Sequence, residues 1–199
     1  MQNDDDKALV AQAQTDPQAF AALYDRYVDR IYAYAYRQVQ DATSAQDVTA
    51  VTFEKALRHI RKYRWQGKSF AAWLYRIARN EAMSHHRRQR RLLPWQSVET
   101  HANGASSKQD IETHALSEVE TAVFRNQRRR QLHHALAKLS AKDRDILSLR
   151  FFEALNSEEV AEVLNCSPNN VYVRLHRALK RLQKQLEKMD PQGEAQHVP

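Results

Sequence analysis

The stretch Asn156–Lys184, NSEEVAEVLNCSPNNVYVRLHRALKRLQK, constrains this chain more than any other. It reads as two helices joined by a tight turn. Asn156 is placed to N-cap the first helix, and Glu159 stands three residues on, where a capping-box partner reaches back. Val160, Ala161, Val163 and Leu164 give that helix a short apolar face, which Asn165-Cys166 interrupts. Ser167 is a second N-cap, followed by Pro168 at the first helical position, where a missing N–H is harmless. Val171, Leu175, Ala178, Leu179, Leu182 and Leu186 recur at helical spacing and predict one buried stripe. The other face carries Asn170, Tyr172, Arg174, His176, Arg177, Lys180, Arg181 and Lys184. This is a helix-turn-helix with a polar, basic second helix. The competing reading is an ordinary helical hairpin with a solvated basic face. The order of the parts favours a DNA reader. Hydrogen-bonding side chains come first, where base edges are met, cations follow, and no acid occurs from Pro168 to Gln185.

Only 3 of 199 residues are Gly, and strand-like alternation is hard to find, so an all-α chain of one or two domains is expected. The net charge of +7 implies a polyanionic partner, nucleic acid before membrane, because no long apolar run appears. MQNDDDKALV lacks a signal peptide's apolar core. The single Cys166 excludes an internal disulfide and fits a reducing cytoplasm. A cytoplasmic protein without membrane insertion is expected.

Asp16-Pro17 starts a helix whose stripe is Phe20, Leu23, Tyr24, Tyr27, Val28, Ile31 and Ala35. Ser44 is the expected cap of the next, which buries Val48, Val51, Ala56, Leu57 and Ile60. Arg61–Lys68 is a basic loop containing two aromatics. Ser69 caps a third helix, with Phe70, Trp73, Leu74, Ile77, Ala78 and Ala82 inward and Arg76, Arg79, Asn80 and Ser84 outward. It ends in the basic run His85–Arg91. From Leu92 periodicity fails, and helix resumes at Glu112. The expected division is a helical domain over 1–91, a flexible linker over 92–111, a second helical domain with the helix-turn-helix over 112–188, and a tail over 189–199. Each core would be thin. In the second domain Leu132, Ala135, Leu136 and Leu139 face inward, and Ser140 with Asp143 starts a helix through Phe151.

No cofactor or metal is expected. His85-His86 and His133-His134 are adjacent pairs, which diverge by about 100° on a helix and rarely chelate one ion. No Gly-rich phosphate loop or nucleophile motif supports an enzyme. Trp65, between Arg64 and Gln66-Gly67-Lys68, fits a base-stacking surface beside phosphate-attracting charge as well as it fits an aromatic folded over the core.

Taken in order, Phe20–Val39, SAQDVTAVTFEKAL and KSFAAWLYRIARNEAMSHHRRQRR resemble region 2 of bacterial RNA polymerase sigma factors. LHHALAKLSAKDRDILSLRFFEALNSEEVAEVLNCSPNNVYVRLHRALKRL resembles region 4. With only these two regions present, the chain resembles the compact extracytoplasmic-function group. The resemblance implies a non-enzymatic factor that binds core RNA polymerase, directs it to promoter DNA, helps melt the duplex, and is held by an anti-sigma factor. It implies that Asn170, Tyr172, Val173, Arg174, His176 and Arg177 read a −35 element as duplex. It implies that Trp65, Gln66, Lys68, Ser69 and Asn80 capture a −10 element as single strand, with Arg76, Arg79, Arg87 and Arg88 along its phosphates. Asp47, Ala50, Val51, Phe53 and Glu54 match the surface that docks on the polymerase. Two departures stand out: Ala50-Val51 replaces a frequent Gln-Glu, and Asn169-Asn170-Val171 replaces a frequent Gly-Thr-Val. The alternative is a stand-alone helix-turn-helix regulator, which would not bring down core polymerase on purification.

Overall fold

The computed structural model describes the backbone of residues 2–65, 69–92 and 116–189, and the side chains of 5–65, 69–89 and 127–189. Every regular element among them is helical: α1 (Gln2–Thr15), α2 (Phe20–Val39), α3 (Ala42–His59), α4 (Phe70–Leu92), α5 (Leu116–Ala137), α6 (Ala141–Leu147), α7 (Ser157–Leu164) and α8 (Pro168–Glu187). Short 3-10 turns precede α2 and follow α3. A π-turn over Ser148–Phe152 extends α6. The expected linker at 92–111, the start of the second domain at 112 and the tail at 189–199 fall largely outside the described residues.

The expected caps are present with one exception. Asp16 accepts from the Gln18 N–H, Ser140 from Asp143, Asn156 from Glu159 and Ser167 from Asn170. Glu159 returns the bond to the Asn156 N–H at 2.8 Å, closing the capping box. At α3 the cap is Asp41, not Ser44. The Asp41 carboxylate accepts from both the amide and the hydroxyl of Ser44, which hold its pKa below the usual carboxylate range. An aspartate in extended conformation reaches two donors at once, and a serine one turn later becomes a partner, not a cap. Asn156→Ala should lower stability by about 1 kcal/mol, read as a shift in the thermal midpoint, and an unchanged midpoint would leave the box without energetic weight.

α2, α3 and α4 pack on one another around Leu23, Ile31, Phe70 and Leu74, all fully buried. The inward face of α3 differs from expectation. Ala45, Val48, Thr49, Thr52, Phe53 and Ala56 are buried, whereas Leu57 is 44% exposed. Thr49 and Thr52 go inside because their hydroxyls donate to the carbonyls of Ala45 and Val48, four residues back. α1, which the periodicity does not announce, lies along α2 and α4. Its Asp6 is buried, accepting from Arg26 at 2.6 Å and from the Tyr27 hydroxyl. Its Gln14 amide donates to the carbonyls of Ile60 and Tyr63.

The C-terminal helices pack as α6 and α7 against α8, and the two sets are in contact: α4 lies on α7, and α2 touches α6. Buried residues of both sets, from Val10 to Ala178, form one continuous cluster. Two thin cores are thus joined into a larger one, which buries more apolar surface per residue than either alone.

Candidate nucleic-acid interface

The geometry of α8 follows from its turn. Asn165 takes the left-handed conformation (φ 51°), and the Cys166 N–H reaches back to the Ala161 carbonyl at 2.9 Å. Asn tolerates that backbone better than most residues. Ser167 then starts α8 with Val171 and Ala178 fully buried beneath it. Asn170, Tyr172, Val173, Arg174, His176 and Arg177 are all exposed, Tyr172 by 61%. An exposed tyrosine and valine among cations offer apolar contact beside hydrogen-bond donors. Arg181, further along the same face, is held by both oxygens of Asp143 at 2.7 and 2.9 Å, so it ties α8 to α6.

The second group surrounds the start of α4. The Ser69 hydroxyl is buried and accepts from the Ala72 N–H at 3.2 Å, so it serves the helix cap. Gln66 and Lys68 lie outside the described residues. Trp65 is half-buried, packed on the core and edge-on to Tyr63 (6.3 Å between centroids, 82°). Tyr63 in turn meets Trp73 at 4.9 Å and Phe70 at 5.8 Å. Burial pushes the Tyr63 phenol up to about 12. Trp65 is therefore the outer member of an aromatic cluster whose inner members are core.

Successive helical residues turn by about 100°, which places Trp73, Arg76, Asn80 and Arg87 in one sector of α4. Arg76, Asn80, Arg87 and Arg88 are exposed, and Arg87 donates to the Ser84 hydroxyl at 3.0 Å. Asn80 stands seven residues beyond Trp73, roughly 10 Å along the axis. Trp65 precedes α4, and Asn80 lies about three turns into it.

Arg79 points elsewhere. Its Nε donates to Asp145 at 2.6 Å, and the second Asp145 oxygen accepts from the Tyr34 hydroxyl at 2.6 Å. Asp145 is buried, which raises its pKa against the opposing pull of Arg79 and Tyr34. A second buried carboxylate, Glu153, accepts from Arg37 and from the Tyr75 hydroxyl, while its carbonyl accepts from Arg30 at 3.1 Å. In the reverse direction Arg144 donates to the Gln38 carbonyl at 3.2 Å. Arg76, Glu158, Glu162, Cys166 and Pro168 line an open cleft of about 300 Å³ between α4 and the helix-turn-helix. Sequence reading passed over Asp145, Glu153, Tyr34 and Tyr75. The available signal was tyrosine at inward positions of α2 and α4, since a buried phenol needs an acceptor from elsewhere.

On α3, Asp47, Ala50 and Glu54 are exposed along one face with Leu57, and Glu54 pairs with Arg58. Val51 is half-buried. Phe53 is buried, 4.7 Å from the ring of Tyr24, so it supports this face from beneath. His86 approaches the Gln38 carbonyl at 3.1 Å. Among the described residues no His, Cys, Asp and Glu group is arranged to hold a metal ion, and no helix is long and apolar enough to cross a membrane.

Residues 23–92 match the family model for Sigma-70 region 2, and residues 129–182 match that for Sigma-70, region 4. The chain is 33% identical to the RNA polymerase sigma-H factor of Pseudomonas aeruginosa, over 92% of this chain and 94% of that protein. It is 31% identical to the ECF RNA polymerase sigma factor BldN of Streptomyces coelicolor, over 87% of this chain but 63% of BldN. Among solved structures, CnrH in complex with the cytosolic domain of CnrY superposes with a TM-score of 0.64 at 23% identity, covering 92% of this chain and 97% of that one. The sigma factor RpoE of Bartonella quintana, in complex with the anti-sigma factor NepR, gives 0.62 at 23% identity, covering 84% and 96%.

Proposed function

The chain is a sigma factor of the sigma-70 family, of its extracytoplasmic-function group, and on that premise we propose that it binds core RNA polymerase, brings it to specific promoters and assists their melting. The exposed face of α8 is the −35 reader, with Asn170, Tyr172, Val173, Arg174, His176 and Arg177 toward the major groove. Trp65 and its loop, with Asn80, take the −10 element as single strand, and Arg76, Arg87 and Arg88 follow its phosphates. Arg79 joins them when its carboxylate partner leaves. Asp47, Ala50, Glu54 and Leu57 on α3 meet the polymerase, over Phe53. An anti-sigma factor belongs among its partners, as one does for the Bartonella quintana relative. The factor carries out no reaction of its own and works in the cytoplasm, where the polymerase is.

The observation that carries this reading is the acid-free, exposed face of α8 from Asn170 to Arg177, above buried Val171 and Ala178. Transcription reconstituted with core polymerase on a library of genomic fragments is the test. Start sites that appear only with the factor, behind shared upstream sequences, are expected. Co-purification without core polymerase, and no new start sites, would leave the stand-alone regulator.

Arg177→Ala should weaken use of the −35 element by about 1–3 kcal/mol if the guanidinium meets a base in bidentate fashion. A loss confined to promoters of one −35 sequence marks base contact. A loss uniform across sequences, with a shallower salt slope, marks a phosphate contact.

A further inference from the structure

Two apolar side chains stand in the middle of a polar helix face. Among the described residues Tyr172 is the most exposed of the large apolar side chains, at 61%, and Val173 beside it is open at 44%. Each residue of a helix turns about 100° from the last, so Val173 stands almost opposite the buried Val171. Tyr172 lies to one side of it, and Asn170, Arg174 and Arg177 lie to the other. All of them are exposed, and no acid occurs from Pro168 to Gln185. Helix propensity does not ask for these two residues, since Ala, Lys or Arg suits an exposed helical position better than Val or Tyr. Packing does not ask for them either, because Val171 and Ala178 fill the inward side.

We propose that Tyr172 and Val173 sense thymine C5-methyl groups, so that the −35 element of this chain carries thymine where these two side chains enter the groove. The proposal rests on the reading of α8 as the −35 helix and adds a base class to it. Three physical arguments support it. First, the thymine methyl is the one apolar group on the major-groove edges of the four bases, which otherwise present nitrogen and oxygen donors and acceptors. An apolar side chain carried into that groove gains by covering a methyl and gains nothing over the other edges. Second, Asn170 stands three positions before Val173, and residues at that spacing are neighbours on a helix surface. An Asn amide suits the N6 and N7 of adenine. Adenine pairs with thymine, so a single A·T pair offers the amide its partner and the valine its methyl in the same groove. Third, the two side chains are suited to the contact. Val is held near one rotamer in a helix and loses little freedom on binding. Tyr presents an apolar ring with a hydroxyl at its tip, and such hydroxyls reach phosphate oxygens. The surrounding cations, without an acid among them, favour a polyanion over a protein surface as the occupant.

The test uses holoenzyme assembled from core polymerase and the full chain, on a promoter duplex taken from the start sites found in reconstituted transcription. Each thymine of the −35 element, on either strand, is replaced in turn by deoxyuridine. Uracil keeps the pairing and the O4 acceptor and lacks only the methyl. One or two positions are expected to weaken binding about fourfold each, the loss that follows from uncovering one methyl group. At those positions Val173→Ala or Tyr172→Ser should bind the thymine and uracil duplexes equally well. Both side chains are exposed, so neither substitution should move the thermal midpoint. Undiminished binding to every uracil duplex by the unmodified holoenzyme overturns the proposal, and that arm needs no variant. A methyl effect that survives both substitutions overturns it too. So does a loss of core-polymerase binding in the variants with the methyl effect intact, which would make the patch a protein contact. Arg177→Ala is measured beside them to judge the underlying reading. If it weakens use of the −35 element while no uracil duplex does, α8 stays the reader and the methyl contact falls. If neither has an effect, the reading of α8 falls with it.

Discussion

Holoenzyme carrying Asn80→Ala is expected to form open complexes about ten- to a hundredfold less well, while polymerase binding and −35 recognition stay near their original level. Asn80 is exposed in the sector of α4 that also carries Arg76 and Arg87, and nothing in the packing requires its amide. An amide bonds the Watson–Crick edge of an extruded base through one donor and one acceptor. Trp65→Ala should act in the same direction through lost stacking, worth about 1–3 kcal/mol per base. Because Trp65 also packs edge-on to Tyr63, its removal should cost some thermal stability, which Asn80→Ala should not. Permanganate reactivity of −10 thymines on duplex templates is the measurement. A template with a pre-melted bubble should rescue a defect in strand separation but restore Asn80→Ala only in part, since base recognition is still missing. Normal permanganate reactivity in both variants would return Trp65 to the core and remove Asn80 from the site.

The free protein should bind a promoter duplex about 10²–10⁴-fold more weakly than the holoenzyme does. Two readers held on one polymerase engage two elements with the effective concentration of a tether, and that gain vanishes when geometry forbids simultaneous contact. In the free chain α4 lies on α7, so only α8 is presented to duplex DNA. Gel shifts with and without core enzyme, at matched salt, measure the ratio. Tight sequence-specific binding by the free chain would point to a regulator acting alone.

Much of this was legible in local chemistry. The caps at Asp16, Ser140, Asn156 and Ser167 announce themselves because each is a short side chain bonded to its own backbone three or so residues on. The face of α8 was legible because period and charge agree. Asp145 and Glu153 were not, because neither the charged run Lys142–Asp145 nor a lone acid after Phe151-Phe152 gives any hint of which distant arginine will meet it. Tyr75 fell outside the stripe of α4 for the same reason: the acceptor for its hydroxyl, Glu153, comes from 78 residues away. Leu57 was misplaced because two threonines took inward positions by bonding their own helix, which rotated the buried face of α3. For Arg79, helical spacing gave the direction, but the neighbour waiting there comes from a segment 66 residues away.

A loop that admits a base needs a fixed root. Among the described residues, a side-chain amide from α1 holds the root here. Gln14, at the end of α1, binds the carbonyls of Ile60 and Tyr63 at 3.1 and 2.7 Å, immediately before Trp65. The α1 helix is itself anchored by Asp6 on Arg26 and Tyr27. Capture of the −10 strand is therefore expected to depend partly on residues that touch no DNA. Exchanging α1 for that of a relative should change how efficiently −10 thymines become permanganate-reactive, while leaving unchanged which base is preferred.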